Sequence, residues 1–479
     1  MQGRVAARIE EAFFTPATVV VGSAIVGLFV WGVLFVPRLP VFLALAGPGA
    51  VLLTLLCAFR PALGVYVLAA CSAIGALVFA DLPDVPPIYP VQLCLFALLV
   101  AAVARRLSIG EEVRLPRGLL VPMSAFLVWG AICLLVNTMQ EGPSEFALKI
   151  RLNGFMIIFL AMASFYVAAR YVRSRAAAAG FVAAVFLSVV PVAGIQLHHF
   201  WQAGFQFGYD TRTFSSIGGN FLGAYYVVIA TLAFSLMLTA ERMLLRLLFL
   251  GLLGFAVLCL AVTFARASLV CAAAAIWTVV IVEKRRLILP LLIGTVIAVL
   301  SPAFFRWTTE TFALFDIWKQ SGTWDRIPIA MDAVKIWLEH PLFGIGFGPY
   351  GRFSEVFVWY AHFGSWGYVN SAHNDFLQVL ADVGLLGLAL YVWMLVAMGR
   401  EARKALAGTA DWFRRALAVS FAGVLVAVIA GNFASELVLG TANNGDYLNL
   451  SARIYYWMFL GVIVAMNTLP SRQWRRPQA

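Results

Sequence analysis

The sequence predicts an all-α polytopic integral membrane protein, with about 12–14 transmembrane helices and one long external loop containing short helices. Two observations carry this. Of the 479 residues, 62% are hydrophobic and only 12% are charged, giving a mean hydropathy of +0.91. No soluble domain of this size could hide that much apolar surface. Apolar runs then recur along the chain, at 17–35, 39–58, 62–80, 88–103, 118–136, 154–169, 176–196, 221–239, 244–264, 268–282, 287–304, 376–398, 413–431 and 451–468. Several fall short of the ~20 residues a perpendicular span needs, so fourteen spans and twelve spans with re-entrant pieces both fit.

The first run lacks a small-residue cleavage site and is followed at once by another, so it reads as a retained span. Both counts are even, which puts both termini on one side. With the N-terminus inside, 23 of the 34 Lys and Arg residues fall in inner segments and 11 remain outside. That asymmetry places both termini in the cytoplasm. The chain then divides into an N-terminal bundle (1–304), an external loop region (305–375), and C-terminal helices with a cytoplasmic tail (376–479).

The net charge of +11 reflects this topology and contact with the anionic inner leaflet. The basic residues are scattered as loop anchors, unlike a nucleic-acid footprint. All six cysteines lie inside apolar runs without zinc-type spacing and read as core packing. No nucleotide-binding domain is legible, so no ATP chemistry and no nucleotide partner are expected.

Function concentrates on the outer side. The stretch "SAHNDFLQVLADVGLLGLAL" (371–390) opens a membrane helix with His373, Asn374 and Asp375, residue types that in membranes usually face a partner, water or a substrate. "SEFALKIRLNGF" (144–155) sets Lys149 and Arg151 around a single residue at the membrane surface, where a phosphate could sit. Snorkelling to headgroups is the ordinary use of such a pair. "YDTRTFSSIGGNFLGAYY" (209–226) places Arg212 before a Gly-containing turn that opens the next span. Such a turn exposes backbone N–H groups to an anion, and an arginine adds a bidentate contact. In "LAVTFARASLVCAAAA" (260–275), Arg266 occupies a tight outer turn near the hydrocarbon boundary, where it needs an anionic partner.

In the long loop, Ile329, Ala333, Ile336 and Trp337 recur near helical spacing. They predict an amphipathic helix over about 326–339, lying on the membrane or on the bundle and ended by His340-Pro341. "GIGFGPYG" follows a helix and no strand, so it fails the context of a dinucleotide loop and reads as a tight turn toward His373. The five histidines show no zinc spacing and no carboxylate pair suits a metal, so a metal-free site without cofactor is expected.

These residues resemble a family. His373-Asn374, then nine residues, then Gly384-Leu-Leu-Gly387, is similar to the signature of bacterial O-antigen ligases and the O-antigen ligase/polymerase superfamily. "W-x-x-H-P-L-F-G-I-G-x-G" over Trp337–Gly348, with Arg326 ahead of it, looks like that family's external-loop motif. "TFARASL" is similar to its short Ser/Thr-x-x-Arg turn, with Ala265 where Ser is common. "RTFSSIGGNFLG" resembles its Arg…Gly…Asn element without the usual Pro.

The resemblance implies a GT-C-type glycosyltransferase of the bacterial inner membrane, active on the periplasmic side in lipopolysaccharide biosynthesis. It would move a glycan from undecaprenyl diphosphate to lipid A–core, with membrane lipids around it. His373 would be the base, and Arg266 and Arg212 would neutralise the departing diphosphate. Lys149, Arg151, Arg326 and Asn374 would bind donor, with Asn374 or Asp375 orienting the imidazole. An O-antigen polymerase or a protein O-oligosaccharyltransferase of the same superfamily is the alternative. A lipid-glycan flippase is more remote, since no inverted repeat or pair of broken helices is visible.

Overall fold

In the computed structural model, residues 56, 59–74, 90–109, 115–141, 145–205, 219–263, 265–301, 326–360, 365–408, 411–433 and 448–468 are described. The expected run at 17–35 lies outside them, as does 39–58 apart from residue 56.

The remaining runs form helices: α1 (Pro61–Ile74), α2 (Pro90–Ile109), α3 (Arg117–Glu141), α4 (Glu145–Tyr171), α5 (Arg175–Gln202), α6 (Gly219–Thr239), α7 (Met243–Ala261), α8 (Arg266–Glu283) and α9 (Ile288–Leu300). Further on come α12 (Asp375–Ala407), α13 (Trp412–Asn432) and α14 (Leu448–Thr468), α10 and α11 being short elements before them. Among the described residues, seven helices are long and apolar enough to cross a membrane. The chain is a multi-pass, all-α membrane protein. Polar starts set the helix ends: Ser174 accepts a hydrogen bond from Ala177 N to cap α5, and Asp411 accepts one from Arg414 N to cap α13.

One hydrophobic core joins the helices. α14 packs along α4, α13 along α8 and α6, and α12 along α3. Five cysteines, Cys71, Cys94, Cys133, Cys259 and Cys271, are buried and form no disulfide among the described residues. At one end of the bundle, polar ties link helix termini: Arg175 to Asp411, Arg415 to Glu283, and Asn467 to the buried Glu401. His373 lies at the opposite end.

The segment between α9 and α12 has its own small core. α10 (Arg326–Glu339) coincides with the amphipathic helix expected there. It buries Ile329, Ala333 and Ile336 with Ile345, Tyr350, Val369 and Ala372, and packs on α12, hence on the bundle. Asp332 on the same face accepts from Tyr350 Oη at 3.3 Å and from Glu355 N at 3.2 Å, tying α10 to the turn that follows α11 (Tyr350–Phe353). The sequence reading expected only short helices here. A two-stranded antiparallel hairpin is also present, β1 (Phe357–Tyr360) on β2 (Ser365–Tyr368). The aromatic and β-branched residues of "FVWY" and "SWGY" favour a pleated surface over a helical turn.

Candidate active site

The site begins with a break in a helix. Within α12, Gly384 takes φ +71°, ψ −173°, a conformation open to glycine alone, and the helix kinks there. The carbonyls of residues 381, 382 and 383 would pair with the N–H groups of 385, 386 and 387 in a continuous helix. Here they are taken by other elements. Ile345 N donates to Ala381 O at 3.0 Å, Gly346 N to Asp382 O at 2.8 Å, and Trp129 Nε1 to Val383 O at 2.8 Å. Leu385 N turns instead to Pro341 O at 3.2 Å. The "HPLFGIGFG" turn and the "VGLLG" kink therefore form one joint, each supplying the backbone partners the other lacks.

Side chains fasten the joint to the bundle. Phe343 stacks on Trp129, with ring centroids 5.4 Å apart, and Phe347 enters the main core beside Phe126 and Phe155. Gly130 and Gly154 make room for Phe347; a Cβ at either would lie 2.7 or 2.9 Å from it. Arg151 runs beneath Gly346, and its Nε donates to Ile345 O at 3.0 Å. The sequence placed Arg151 at the membrane surface; it is fully buried, because the Gly-rich turn closes over it. Lys149 precedes it on α4, its side chain outside the description.

From this joint the chain reaches "SAHND". His373 has φ +49°, a left-handed conformation uncommon outside glycine. Arg326 Nη1 donates to the His373 carbonyl at 3.2 Å, and Ser371 Oγ lies 3.4 Å from its Nδ1. Part of the imidazole opens on a cavity of about 690 Å³ walled by α10. Elsewhere protein encloses it, and burial first, then the positive charge of Arg326, pushes its pKa down to about 3. The free imidazole is thus a neutral acceptor at physiological pH.

The neighbours have separate duties. Asn374 Oδ1 caps α12 by accepting from Phe376 N at 2.9 Å and Leu377 N at 3.1 Å, and its Nδ2 reaches Phe433 O at 3.4 Å. Asp375 is fully buried. In the amide orientation that satisfies every partner, Asn432 donates to Asp375 Oδ2 at 2.7 Å and accepts from Tyr391 Oη at 2.7 Å. Sequence reasoning passed over Asn432, Tyr391 and Gln378. The legible signal was a polar residue inside an apolar run.

The cavity joins His373 and Arg326 to an apolar wall of Ile327, Ala330, Met331, Val334 and Leu338. Met331 and Leu338 are 68% and 64% exposed, so the face of α10 turned away from the small core carries apolar side chains beside the charged Lys335. Arg266 is the first residue of α8, behind Ala265, and its side chain is outside the description. The starts of α8 and α6 touch, since a Cβ at Gly223 would meet Ala265 and Ser268. Arg453 of α14 stacks on Phe221 of α6, its guanidinium 5.3 Å from the ring centroid. The helix starts at Gly219, Arg266, Asp375 and Leu448 thus share the His373 end. Arg212 lies outside the described residues. Among the described residues, no group of three or more His, Cys, Asp or Glu is arranged to hold a metal ion.

Residues 214–392 match a family model described as O-Antigen ligase. That segment, 179 of the 479 residues, is similar to the O-antigen ligase family. The matched segment spans Arg266, Arg326, His373 and Asn374 and begins two residues after Arg212. No curated protein matches the chain.

Proposed function

We propose that this protein is an O-antigen ligase of the bacterial inner membrane. It transfers a glycan from undecaprenyl diphosphate to lipid A–core on the periplasmic face, with inversion and without a metal. Residues 305–375 are then the periplasmic segment between the bundle and the C-terminal helices. The observation that carries the reading is the placement of a neutral His373, in a strained turn, at a cavity with Arg326 beside it and an apolar wall behind.

The acceptor hydroxyl oxygen attacks the anomeric carbon, and its proton passes to the His373 imidazole. The bond from the anomeric carbon to the diphosphate oxygen breaks, and the electron pair leaves with the diphosphate. Arg266 and Arg212 neutralise the charge that develops there. The first-turn N–H groups of α8, behind an alanine cap, favour the same anion. Arg326, and Lys149 with Arg151 from below, add positive potential, and the α10 wall suits the lipid chain. A bound diphosphate pairs the charge of Arg326 and so raises the basicity of His373 from its low resting value. Asn374 contributes by fixing the start of α12.

The test is transfer by purified protein from undecaprenyl-diphosphate glycan in excess EDTA, with lipid A–core, a second lipid-linked glycan or a Ser/Thr peptide as acceptor. Product on lipid A–core alone is expected. Product on another acceptor replaces the ligase with a polymerase or a protein glycosyltransferase. Activity lost on chelation and restored by Mg²⁺ overturns the metal-free mechanism.

A further inference from the structure

We infer that Gln378 is a positioning residue for His373, a role that rests on the assignment of His373 as the base. Gln378 is buried on the second turn of α12, and its amide works at both ends. Its Oε1 accepts from Ala372 N at 2.7 Å, and its Nε2 donates to Asp382 Oδ1 at 2.9 Å, one helical turn further on. The residue before His373 is thereby tied to α12. Arg326 holds the carbonyl of His373 itself at 3.2 Å.

The left-handed turn is gripped on both sides of a residue that would relax toward negative φ if released. The grip extends to the kink, because the main-chain oxygen of Asp382 accepts from Gly346 N at 2.8 Å. Gln378 thus connects the catalytic turn to the Gly-rich loop through one side chain. The chemistry requires an amide: one acceptor faces a backbone N–H and one donor faces a carboxylate. Glutamate supplies two acceptors and sets an oxygen against Asp382. Methionine fills the volume and supplies neither bond.

The experiment compares Gln378→Glu, Gln378→Met and Gln378→Glu/Asp382→Asn with wild type in the full chain, on folded detergent-solubilised protein. In the double variant the donor and acceptor exchange places, and an N–H···O bridge forms again. Two quantities are read: the carbethoxylation rate of His373 by diethylpyrocarbonate, and transfer kinetics from a polyprenyl-diphosphate glycan. Both single variants should lower kcat by about 10- to 100-fold, with KM for donor within about twofold, because misplacing the base affects the chemical step. His373 carbethoxylation should change several-fold in both, and the double variant should recover at least tenfold in kcat together with the wild-type modification rate. Wild-type kcat and unchanged His373 reactivity in Gln378→Met overturn the inference. So does a double variant no better than Gln378→Glu. If wild type transfers no glycan, the modification rates still decide the brace, and only the transferase reading falls.

Discussion

Arg326 Nη1 donates to the carbonyl of His373 at 3.2 Å, so the residue that fixes the histidine's backbone also lowers its basicity, after burial. These two effects can be separated from burial, the larger cause of the low pKa. Removing the charge in Arg326→Met should move the His373 pKa upward from about 3, yet leave it below the ordinary 6.5 because burial persists. Histidine NMR, with the signal assigned through a His373 variant, measures this. The sign for stability follows. Between pH 6.5 and 3 the unfolded chain binds the proton and the folded chain does not. Stability from this group is therefore full above pH 6.5 and lost as pH falls toward 3, and Arg326→Met should lose less over that window. A wild-type histidine titrating near 6.5 contradicts the account.

The kink predicts a sharp difference between two glycines of one helix. A Cβ at Gly384 would lie 2.1 Å from Leu342 O, at a φ of +71°. Gly384→Ala should cost about 3 kcal/mol or more, combining backbone strain with a broken joint. At Gly399 the nearest atom to an added Cβ is 4.0 Å away, so Gly399→Ala should be neutral or slightly stabilising. Thermal unfolding of both variants in one detergent makes the comparison, and equal melting temperatures refute the structural role of the kink.

Much of this arrangement was legible in the sequence. Within the described residues the apolar runs became helices, seven of them long enough to span, and the spacing of Ile329, Ala333, Ile336 and Trp337 marked α10 at about 326–339, since a 3.6-residue period survives wherever a helix buries one face. The polar start of α12 singled out His373. The joint was not legible. That "HPLFGIGFG" donates to the carbonyls of a helix broken at Gly384 depends on pairings between segments about forty residues apart, which no local pattern encodes. Arg151 was misplaced for the same reason: its cover, Gly346, lies far along the chain. Gln378 and Asn432 were visible as polar residues in apolar runs, but their roles depend on Ala372 and Asp375.

Arg266 gives a test of charge against shape. Lysine keeps the charge and loses the planar fork that meets a phosphate through two hydrogen bonds. With Arg266 at the head of α8, Arg266→Lys should fold normally and lose transfer severely, by about 100-fold or more, as for removal of one charge-stabilising donor. Transfer by the variant within about threefold of wild type means the arginine only anchors the helix end.

The most direct measurement of the central claim is donor binding and glycan transfer by His373→Ala on a single folded preparation. In the proposed mechanism the arginines carry the diphosphate contact, so binding of undecaprenyl-diphosphate glycan should stay near wild type. Transfer per folded molecule should fall by about 10²- to 10⁴-fold, the loss from removing one general base. Transfer at the wild-type rate per folded molecule, with only stability lost, would contradict the assignment of His373 as the base.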